Sequence, residues 1–257
     1  MILGHRTLGR GKSRVLVLHD WFSDCSSYDA LLPFLDTEAF TFAFADLRGY
    51  GKSKEKIGLY NLEEAVHDLL ALADALHWNA FHAVGHSMTG LVVQKLAAIA
   101  ENRLKSAICI TPTPACGSPV PDDVLAFLEN AAKSNDEGAK QIVHMMTGER
   151  HAEPFIHFKV QKWRETSTAE ARAAYLHMFA KTDISNEVQN LRVPFLVLAG
   201  EYDAEGHRMP AMKETFGKWL PKCEFQLIKN SGHYPMQETP VFLSSQIDSF
   251  LKKCIDL

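Results

Sequence analysis

Short, unbroken hydrophobic runs recur along the chain and alternate with segments of helical periodicity. The runs lie at residues 15–18, 42–45, 81–84, 107–110, 195–198 and 225–228. They favour strands covered on both faces of a parallel sheet, because a strand with one wet face alternates hydrophobic and polar residues. Predicted helices begin after Asn61 and cover residues 91–100, 209–220 and 241–252. The alternation predicts an α/β protein with a doubly wound, mostly parallel sheet and right-handed crossovers.

The alternation stops between Pro112 and about Glu187. This segment opens with several prolines and then shows helical periodicity alone, at residues 124–132, 139–146, 154–163 and 169–180. Because the α/β pattern resumes at Val193, the segment predicts a helical cap inserted over the carboxyl edge of the sheet. We therefore expect an α/β core of residues 1–112 and 187–257 and a cap of residues 113–186.

Composition and charge narrow the classes of partner. The chain has 257 residues, 46% of them hydrophobic, which is enough for one large core or for a core with a cap. A formal net charge of −4 gives no broad positive field, so we expect no nucleic-acid partner. No uninterrupted apolar stretch approaches the roughly 18 residues of a membrane span, so we expect no membrane partner. The oligomeric state leaves no signal in the sequence.

The cysteine pattern bears on compartment and metal binding. The five cysteines are scattered and include no C-x-x-C pair, which favours free thiols in a cytoplasmic protein and no zinc site of the cysteine type. Four histidines in the cap also lack the i, i+4 pair with a third ligand that zinc sites commonly show. These are His144, His151, His157 and His177. We therefore predict no metal site.

The strongest chemical signal is the segment G-H-S-M-T-G at residues 85–90, between a predicted strand and a predicted helix. At such a junction a sharp turn can lift the hydroxyl of Ser87 clear of the sheet. A G-x-S-x-G match arises by chance in about one chain in ten of this length, so the position in the fold carries the weight. This chain has Thr89 where the pattern has its second glycine, and an ordinary capped helix start is the alternative.

A serine hydroxyl is a weak nucleophile unless a base removes its proton and a carboxylate orients that base. His233 follows the last predicted strand, and Asp203 follows the strand before it. The chain order of nucleophile, acid and histidine is the one that suits a strand-to-helix serine. Spacing alone does not decide between Asp203 and its neighbours Glu201 and Glu205. We predict a catalytic triad of Ser87, His233 and one of these three carboxylates.

Acyl transfer to water places negative charge on the carbonyl oxygen, which backbone N–H groups stabilise well. The N–H of Met88 lies directly after the proposed nucleophile, at a helix N-terminus. The second donor is expected in the loop after the strand at residues 15–18, where Trp21 is our choice and Phe22 the alternative. The rings of both residues also suit packing under the cap.

Several separated motifs make the chain resemble the α/β-hydrolase family along nearly its whole length. They are residues 19–22 (H-D-W-F), residues 46–53 (D-L-R-G-Y-G-K-S), the segment around Ser87, and the loops of Asp203 and His233. The chain is most similar to small cap-bearing esterases, enol-lactone hydrolases and non-haem haloperoxidase-like enzymes. The resemblance implies a hydrolytic triad with Asp203 as its acid, a two-donor oxyanion hole and no cofactor.

Two positions depart from the family pattern. Asp20 stands where the family usually has glycine, and a carboxylate beside an oxyanion hole opposes the charge that must be stabilised unless its side chain points away. Thr89 adds a β-branched side chain at a crowded turn, so we expect a slightly reshaped turn around Ser87.

The resemblance implies hydrolysis of a carboxylic ester, lactone or thioester through an acyl-enzyme. The relatives that form an alkyl-ester intermediate have an aspartate at the position that corresponds to Ser87. Apolar side chains over the triad would favour a small, largely apolar substrate. The substrate-binding candidates are Phe22, Phe127, Phe155, Phe158, Trp163 and Phe179, although helical spacing also fits simple packing within the cap. Two alternatives stay open: a cofactor-free dioxygenase or carbon–carbon bond hydrolase with His233 as its base, and a low-turnover ligand receptor.

Overall fold

The structure, a computed structural model, describes residues 1–255 as a seven-stranded sheet flanked by helices. The strands are β1 (His5–Gly9), β2 (Ser13–Leu18), β3 (Phe40–Ala45), β4 (Phe81–His86), β5 (Leu104–Ile110), β6 (Phe195–Gly200) and β7 (Glu224–Ile228). Their order is β1-β3-β2-β4-β5-β6-β7, and every neighbouring pair except β1 and β3 is parallel. This sheet confirms the predicted fold class.

With one short exception, the helices occupy the predicted segments. They are α1 (Leu62–Ala75), α2 (Met88–Ile99), α3 (Asp122–Lys133), α4 (Asp136–Met146), α5 (Glu153–Thr166), α6 (Ala169–Lys181), α7 (Met209–Trp219), α8 (Pro235–Glu238) and α9 (Pro240–Lys253). The side chain of Asn61 caps α1 by accepting a hydrogen bond from the N–H of Glu64. The short helix α8 was not predicted from the sequence. None of the helices in this described part of the chain is long and apolar enough to cross a membrane.

Strand β1 also escaped the sequence analysis. It pairs antiparallel with β3 at the edge of the sheet, and its residues are only partly buried or exposed. An edge strand needs no continuous hydrophobic run, because one of its sides faces solvent. By contrast, β3, β4 and β6 are buried along their entire length, as their hydrophobic runs indicate.

The parallel strands place the predicted chemistry at one edge. Strands β2, β4, β6 and β7 run in the same direction, so the loops after them meet at the carboxyl edge of the sheet. Trp21 follows β2, Ser87 follows β4, Asp203 follows β6 and His233 follows β7. Residues far apart in the sequence thereby reach one site.

Helices α3 to α6 all lie between β5 and β6, in the segment predicted as a cap. Helix α3 packs against α4 and α6, and α4 packs against α5. We call residues 113–186 the cap segment. Its separation from a core of residues 1–112 and 187–257 stays a prediction.

Candidate active site

Ser87 lies at a strained turn between β4 and α2. Its φ of 56° and ψ of −119° fall in a region of backbone conformation that residues other than glycine rarely adopt. Glycines allow the close approach around it: a Cβ at Gly85 would lie 2.4 Å from the backbone oxygen of Thr89, and a Cβ at Gly90 would lie 2.4 Å from the Cβ of Pro112. The position that needs a glycine after the serine is therefore residue 90.

Ser87, His233 and Asp203 form a continuous hydrogen-bonded chain. Ser87 Oγ lies 2.8 Å from His233 Nε2, and His233 Nδ1 lies 2.8 and 3.0 Å from the two carboxylate oxygens of Asp203. All three side chains are buried. Because a carboxylate only accepts, Nδ1 carries the imidazole hydrogen and Nε2 can accept the hydrogen of the serine hydroxyl.

The two rival acids lie elsewhere. Glu201 accepts a hydrogen bond from the N–H of Asn230, and Glu205 lies exposed in a short turn. Of the three carboxylates considered from sequence, Asp203 is the one that contacts His233.

A buried carboxylate that the sequence analysis missed holds the His233 loop. Glu238 accepts hydrogen bonds from the N–H groups of Gly232 and Tyr234, at 2.9 and 3.0 Å, so it binds the backbone on both sides of His233. The same side chain contacts His151 and Arg150 of the cap segment. The loop that carries His233 is therefore tied both to α8 and to the cap segment.

Of the two predicted oxyanion donors, Met88 directly follows Ser87 in the chain, and Trp21 lines the same cavity as Ser87. Within residues 1–255 neither the Trp21 N–H nor the Met88 N–H donates to a protein acceptor. The Trp21 side chain donates from Nε1 to the carbonyl of Arg172 at 2.8 Å, and the Trp21 carbonyl accepts from the hydroxyl of Tyr50 at 2.9 Å. These bonds fix the loop after β2, while the oxyanion role itself stays a prediction.

Thr89 joins the Ser87 turn to the loop after β2. Its hydroxyl oxygen lies 2.9 Å from the N–H of His86, from which it accepts, and 2.9 Å from the carbonyl of His19, to which it can donate. The residue that departs from the family pattern thus links the two backbone segments that carry the predicted oxyanion donors.

Asp20, the other departure, is buried and paired with a lysine of the cap segment. Asp20 Oδ2 lies 3.8 Å from the Nζ of Lys159 on α5, and both side chains are at most 2% exposed. Burial raises the pKa of the Asp20 carboxyl, but nearby basic side chains, Lys159 first among them, lower it by more, so its pKa lies below the usual value. A cation therefore balances the carboxylate beside the predicted oxyanion hole.

A cavity of about 450 Å³ opens over Ser87 and His233, between the carboxyl edge of the sheet and the cap segment. Among the residues predicted from sequence, Trp21, Phe22 and Phe179 line it. Its aliphatic wall was not predicted, because the sequence analysis searched for aromatic residues. That wall includes Val120, Val124, Leu128, Ile142, Met145 and Met146.

The structure places four predicted substrate-binding aromatics outside the set of described residues that line this cavity. Trp163 is fully buried and stacks on Phe22 with ring centroids 3.9 Å apart, so it supports the cavity wall from behind. The ring of Phe155 lies 4.4 Å from that of His151, Phe158 is 43% exposed, and Phe127 packs against the core from α3.

One group of side chains in the described chain has the composition of a metal site. Asp203, His207 and His233 each offer a ligand atom, and these atoms lie within 4.8 Å of one another. His207 Nδ1 lies 3.2 Å from the carbonyl of Pro112, and burial lowers the pKa of His207. The carboxylate and imidazole atoms of Asp203 and His233 already bond each other, so a metal ion would have to replace the hydrogen between them.

Comparisons with known proteins give this geometry a context. Residues 15–245 match the sequence model of the alpha/beta hydrolase family. Carboxylesterase YbfK of Bacillus subtilis is 24% identical over 69% of this chain, which spans 60% of that protein's length. The 3-oxoadipate enol-lactonase 2 of Acinetobacter baylyi is 22% identical over 98% of this chain and 93% of its own.

Solved structures share the fold at low sequence identity. An esterase from Exiguobacterium antarcticum superposes with a TM-score of 0.85 at 17% identity, over 96% of this chain and 94% of its own. An enol-lactonase from Burkholderia xenovorans superposes with a TM-score of 0.82 at 20% identity, over 97% of this chain and 96% of its own. The three proteins share the same overall fold.

Proposed function

Because this chain belongs to the alpha/beta hydrolase family, we propose that it hydrolyses carboxylic esters, lactones or thioesters through an acyl-enzyme intermediate. The 2.8 Å contact between Ser87 Oγ and His233 Nε2 carries the proposal, since it pairs a nucleophile with its base. The matched carboxylesterase and enol-lactonase agree with ester or lactone substrates. The family resemblance inferred from the motifs is confirmed.

In the first half-reaction, Ser87 Oγ attacks the substrate carbonyl carbon while His233 Nε2 takes the hydroxyl proton. Asp203 holds the imidazole through Nδ1 and stabilises the imidazolium cation that forms. The N–H groups of Met88 and Trp21 donate to the carbonyl oxygen as it becomes negative. Collapse of this intermediate expels the leaving alcohol, which takes its proton from His233, and leaves the acyl group on Ser87.

In the second half-reaction, water replaces the alcohol. His233 Nε2 takes one proton from the water as its oxygen attacks the acyl carbon, and the same backbone donors stabilise the new oxyanion. The intermediate then releases Ser87 Oγ, which regains a proton from His233. The products are a carboxylic acid and the unchanged enzyme.

The cavity supports a small, largely apolar substrate. Phe22 and Phe179 face it together with the aliphatic side chains of α3 and α4, and Ser87 and His233 lie in its wall. We propose that the acyl group packs against this apolar wall while the reacting carbonyl meets Ser87. Trp163 acts behind Phe22 in this arrangement rather than by contact with substrate.

A cytoplasmic location and a small-molecule partner complete the proposal. All five cysteines are free thiols, the state that a reducing compartment maintains. The net charge of −4 disfavours nucleic acid as a partner.

A fluorophosphonate probe tests the proposed nucleophile. We expect the wild-type protein to be labelled and to hydrolyse some p-nitrophenyl esters in a series of rising acyl length, with lactones and thioesters beside them. Ser87→Ala should lose the label and about 10⁴-fold or more in kcat. Ser118→Ala, a matched change in the wall of the same cavity, should keep both.

Two outcomes would favour the alternatives. If Ser87→Ala keeps near-wild-type turnover of any substrate, His233 acts as a base without an acyl-enzyme, as in a cofactor-free dioxygenase or a carbon–carbon bond hydrolase. If the folded wild-type protein is neither labelled nor active, the cavity belongs to a ligand receptor.

A further inference from the structure

The buried ion pair between Asp20 and Lys159 joins the loop after β2 to cap helix α5. Their side chains are 2% and 0% exposed, and the charged atoms lie 3.8 Å apart. Asp20 Oδ1 and Lys159 Nζ have no hydrogen-bond partner within residues 1–255. Burying such a pair requires considerable desolvation, so its presence at the cavity calls for a functional explanation.

The position of Asp20 makes its charge matter for acyl transfer. Asp20 directly precedes Trp21, the predicted oxyanion donor, and lines the same cavity as Ser87 and His233. Two like charges a few ångströms apart repel each other strongly in a poorly solvated site, where water screens them weakly. An unbalanced carboxylate here would therefore raise the energy of an oxyanion.

The groups that face Asp20 come from several elements. They are Lys159 of α5, His86 of β4, His19 of its own loop and His233 of the loop after β7, with the phenols of Tyr28, Tyr50 and Tyr234 also near. A balancing charge must come from one of the four basic residues.

None of the histidines supplies a standing positive charge to Asp20 in the proposed reaction. Burial lowers the pKa of His86 to about 3. His19 accepts the N–H of Leu47 at its Nε2, so its ring carries no second hydrogen, and His233 Nε2 has to accept the Ser87 proton in the proposed reaction. Lys159 is left as the cation: burial lowers its pKa, while Asp20 and Glu238 oppose that shift and favour the charged form. Its Nζ lies 3.8 Å from the ring centroid of Tyr234, the neighbour of His233.

We propose that Lys159 is a positioning residue for the reaction: from the cap segment it neutralises Asp20, so that the loop after β2 stabilises an oxyanion instead of repelling it. This inference rests on the proposed function. Because Lys159 belongs to α5, the balance exists only when α5 is seated on the loop after β2. Docking of the cap segment and the ability to stabilise the oxyanion are thereby coupled.

The test compares Lys159→Met with the double variant that carries both Lys159→Met and Asp20→Asn. Lys162→Met, on the same helix, is the matched control. At pH 8.5 we expect Lys159→Met to lower kcat for an aryl ester about 100-fold while KM changes less than about threefold. The double variant removes both charges and should recover to within about tenfold of wild type. Lys162→Met should match the wild type.

The pH profile separates charge balance from packing. Lys159→Met removes a cation that lowers the pKa of Asp20 and leaves burial, which raises it. Relative to the wild type, the variant should therefore retain more activity at low pH, where the Asp20 carboxyl takes up a proton, and lose kcat as the pH rises and the carboxyl ionises. The double variant should show no such fall, and the wild type should show one only at higher pH, where Lys159 itself loses its proton.

The proposal is overturned if the kcat of Lys159→Met stays within about threefold of wild type at every pH. It is also overturned if the double variant is as slow as Lys159→Met and kcat does not depend on pH in either variant. Fluorophosphonate labelling of the wild type separates this failure from failure of the proposed function, since an unlabelled wild type overturns both. If Lys159→Met does not fold, the double variant decides: a folded and active double variant supports the balance, and an unfolded one overturns it.

Discussion

A single hydroxyl connects the two halves of the predicted oxyanion hole. Thr89 accepts from the N–H of His86 and can donate to the carbonyl of His19, and its side chain is fully buried. A buried polar group that loses its partner costs about 1 to 3 kcal/mol, so this hydroxyl fixes both backbone segments with a substantial energy.

Replacing Thr89 with valine tests this connection. Valine keeps the shape but leaves the His86 N–H and the His19 carbonyl without their partner, so we expect unfolding to require about 1 to 3 kcal/mol less and kcat to fall about tenfold. Thermal unfolding and aryl-ester kinetics measure the two effects, and Thr89→Ser, which keeps the hydroxyl, should be much milder. A valine variant as active and stable as wild type would contradict the role.

The carboxyl group of Asp248 makes the stability of the fold depend on pH. Burial raises the pKa of its carboxyl from the usual 3.8 to about 6, although its Oδ2 accepts a hydrogen bond from the N–H of Asp36. The folded state therefore favours the protonated form. The stability that this group contributes is complete below about pH 4 and is lost as the pH rises through 6.

Asp248→Asn removes this loss while an amide oxygen still accepts from Asp36. Since the side chain is only half buried, we expect a gain of about 1 kcal/mol in the free energy of unfolding at pH 8, and little or no gain at pH 4. Urea unfolding at both pH values measures the difference. An equal effect at the two pH values would show that ionisation of Asp248 is not the cause.

At the residue scale, the sequence was enough to locate the functional residues that lie directly after a strand. Ser87, Asp203 and His233 each follow a hydrophobic run, so the topology of a parallel sheet brought them to one edge. Lys159 and Glu238 gave no such signal, because a charged residue in a helix is ordinarily solvated and their burial depends on contacts made between the cap segment and the core.

At the scale of elements, the loop after β7 and the short helix α8 act together. Glu238 lies on α8 and holds the backbone N–H groups of Gly232 and Tyr234, while Met146 at the end of α4 accepts the N–H of His233. Three backbone bonds around one histidine leave its ring little freedom, and one of them comes from the cap segment.

Removing the Glu238 side chain should loosen this loop. We expect Glu238→Ala to lower the free energy of unfolding by about 2 to 4 kcal/mol, because two buried N–H groups lose their acceptor. It should also lower kcat about 10- to 100-fold, since the base is no longer held in place. Thermal unfolding and kinetics measure both, and Glu214→Ala, at an exposed position of α7, is the control. Unchanged kcat in the folded variant would show that Glu238 does not position His233.

Elements with strong periodicity were predicted, and the weakly patterned ones were missed. The polar edge strand β1 and the four-residue helix α8 have too little hydrophobic pattern to be detected. The aromatic residues of the cap segment were predicted as substrate-binding, yet Trp163 packs behind the cavity wall. Which face of a cap helix meets the cavity depends on how the helices dock, and periodicity does not define that.

At the scale of the whole molecule, the cavity between core and cap segment should set the length of the acyl group. Val124 of α3 lines this cavity and is 38% exposed, so a larger side chain there can extend into it. We expect Val124→Trp to lower kcat/KM about tenfold for long-chain p-nitrophenyl esters and little for the acetate. Val241→Trp, at an exposed position of α9, is the control. An equal loss for all chain lengths would contradict a role in size selection.

The position of the cap segment in the chain also bears on how the protein folds. The segment 111–194 separates β5 from β6, which must pair in parallel before Asp203 can approach Ser87. Bringing two such distant segments together lowers the conformational entropy of the chain before native contacts compensate for the loss. Parallel strand pairs that are far apart in the sequence therefore form slowly. Local helices therefore arise early during refolding, whereas the assembled hydrogen-bonded chain from Ser87 to Asp203 is a late product, and recovery of enzymatic turnover lags behind recovery of helical structure.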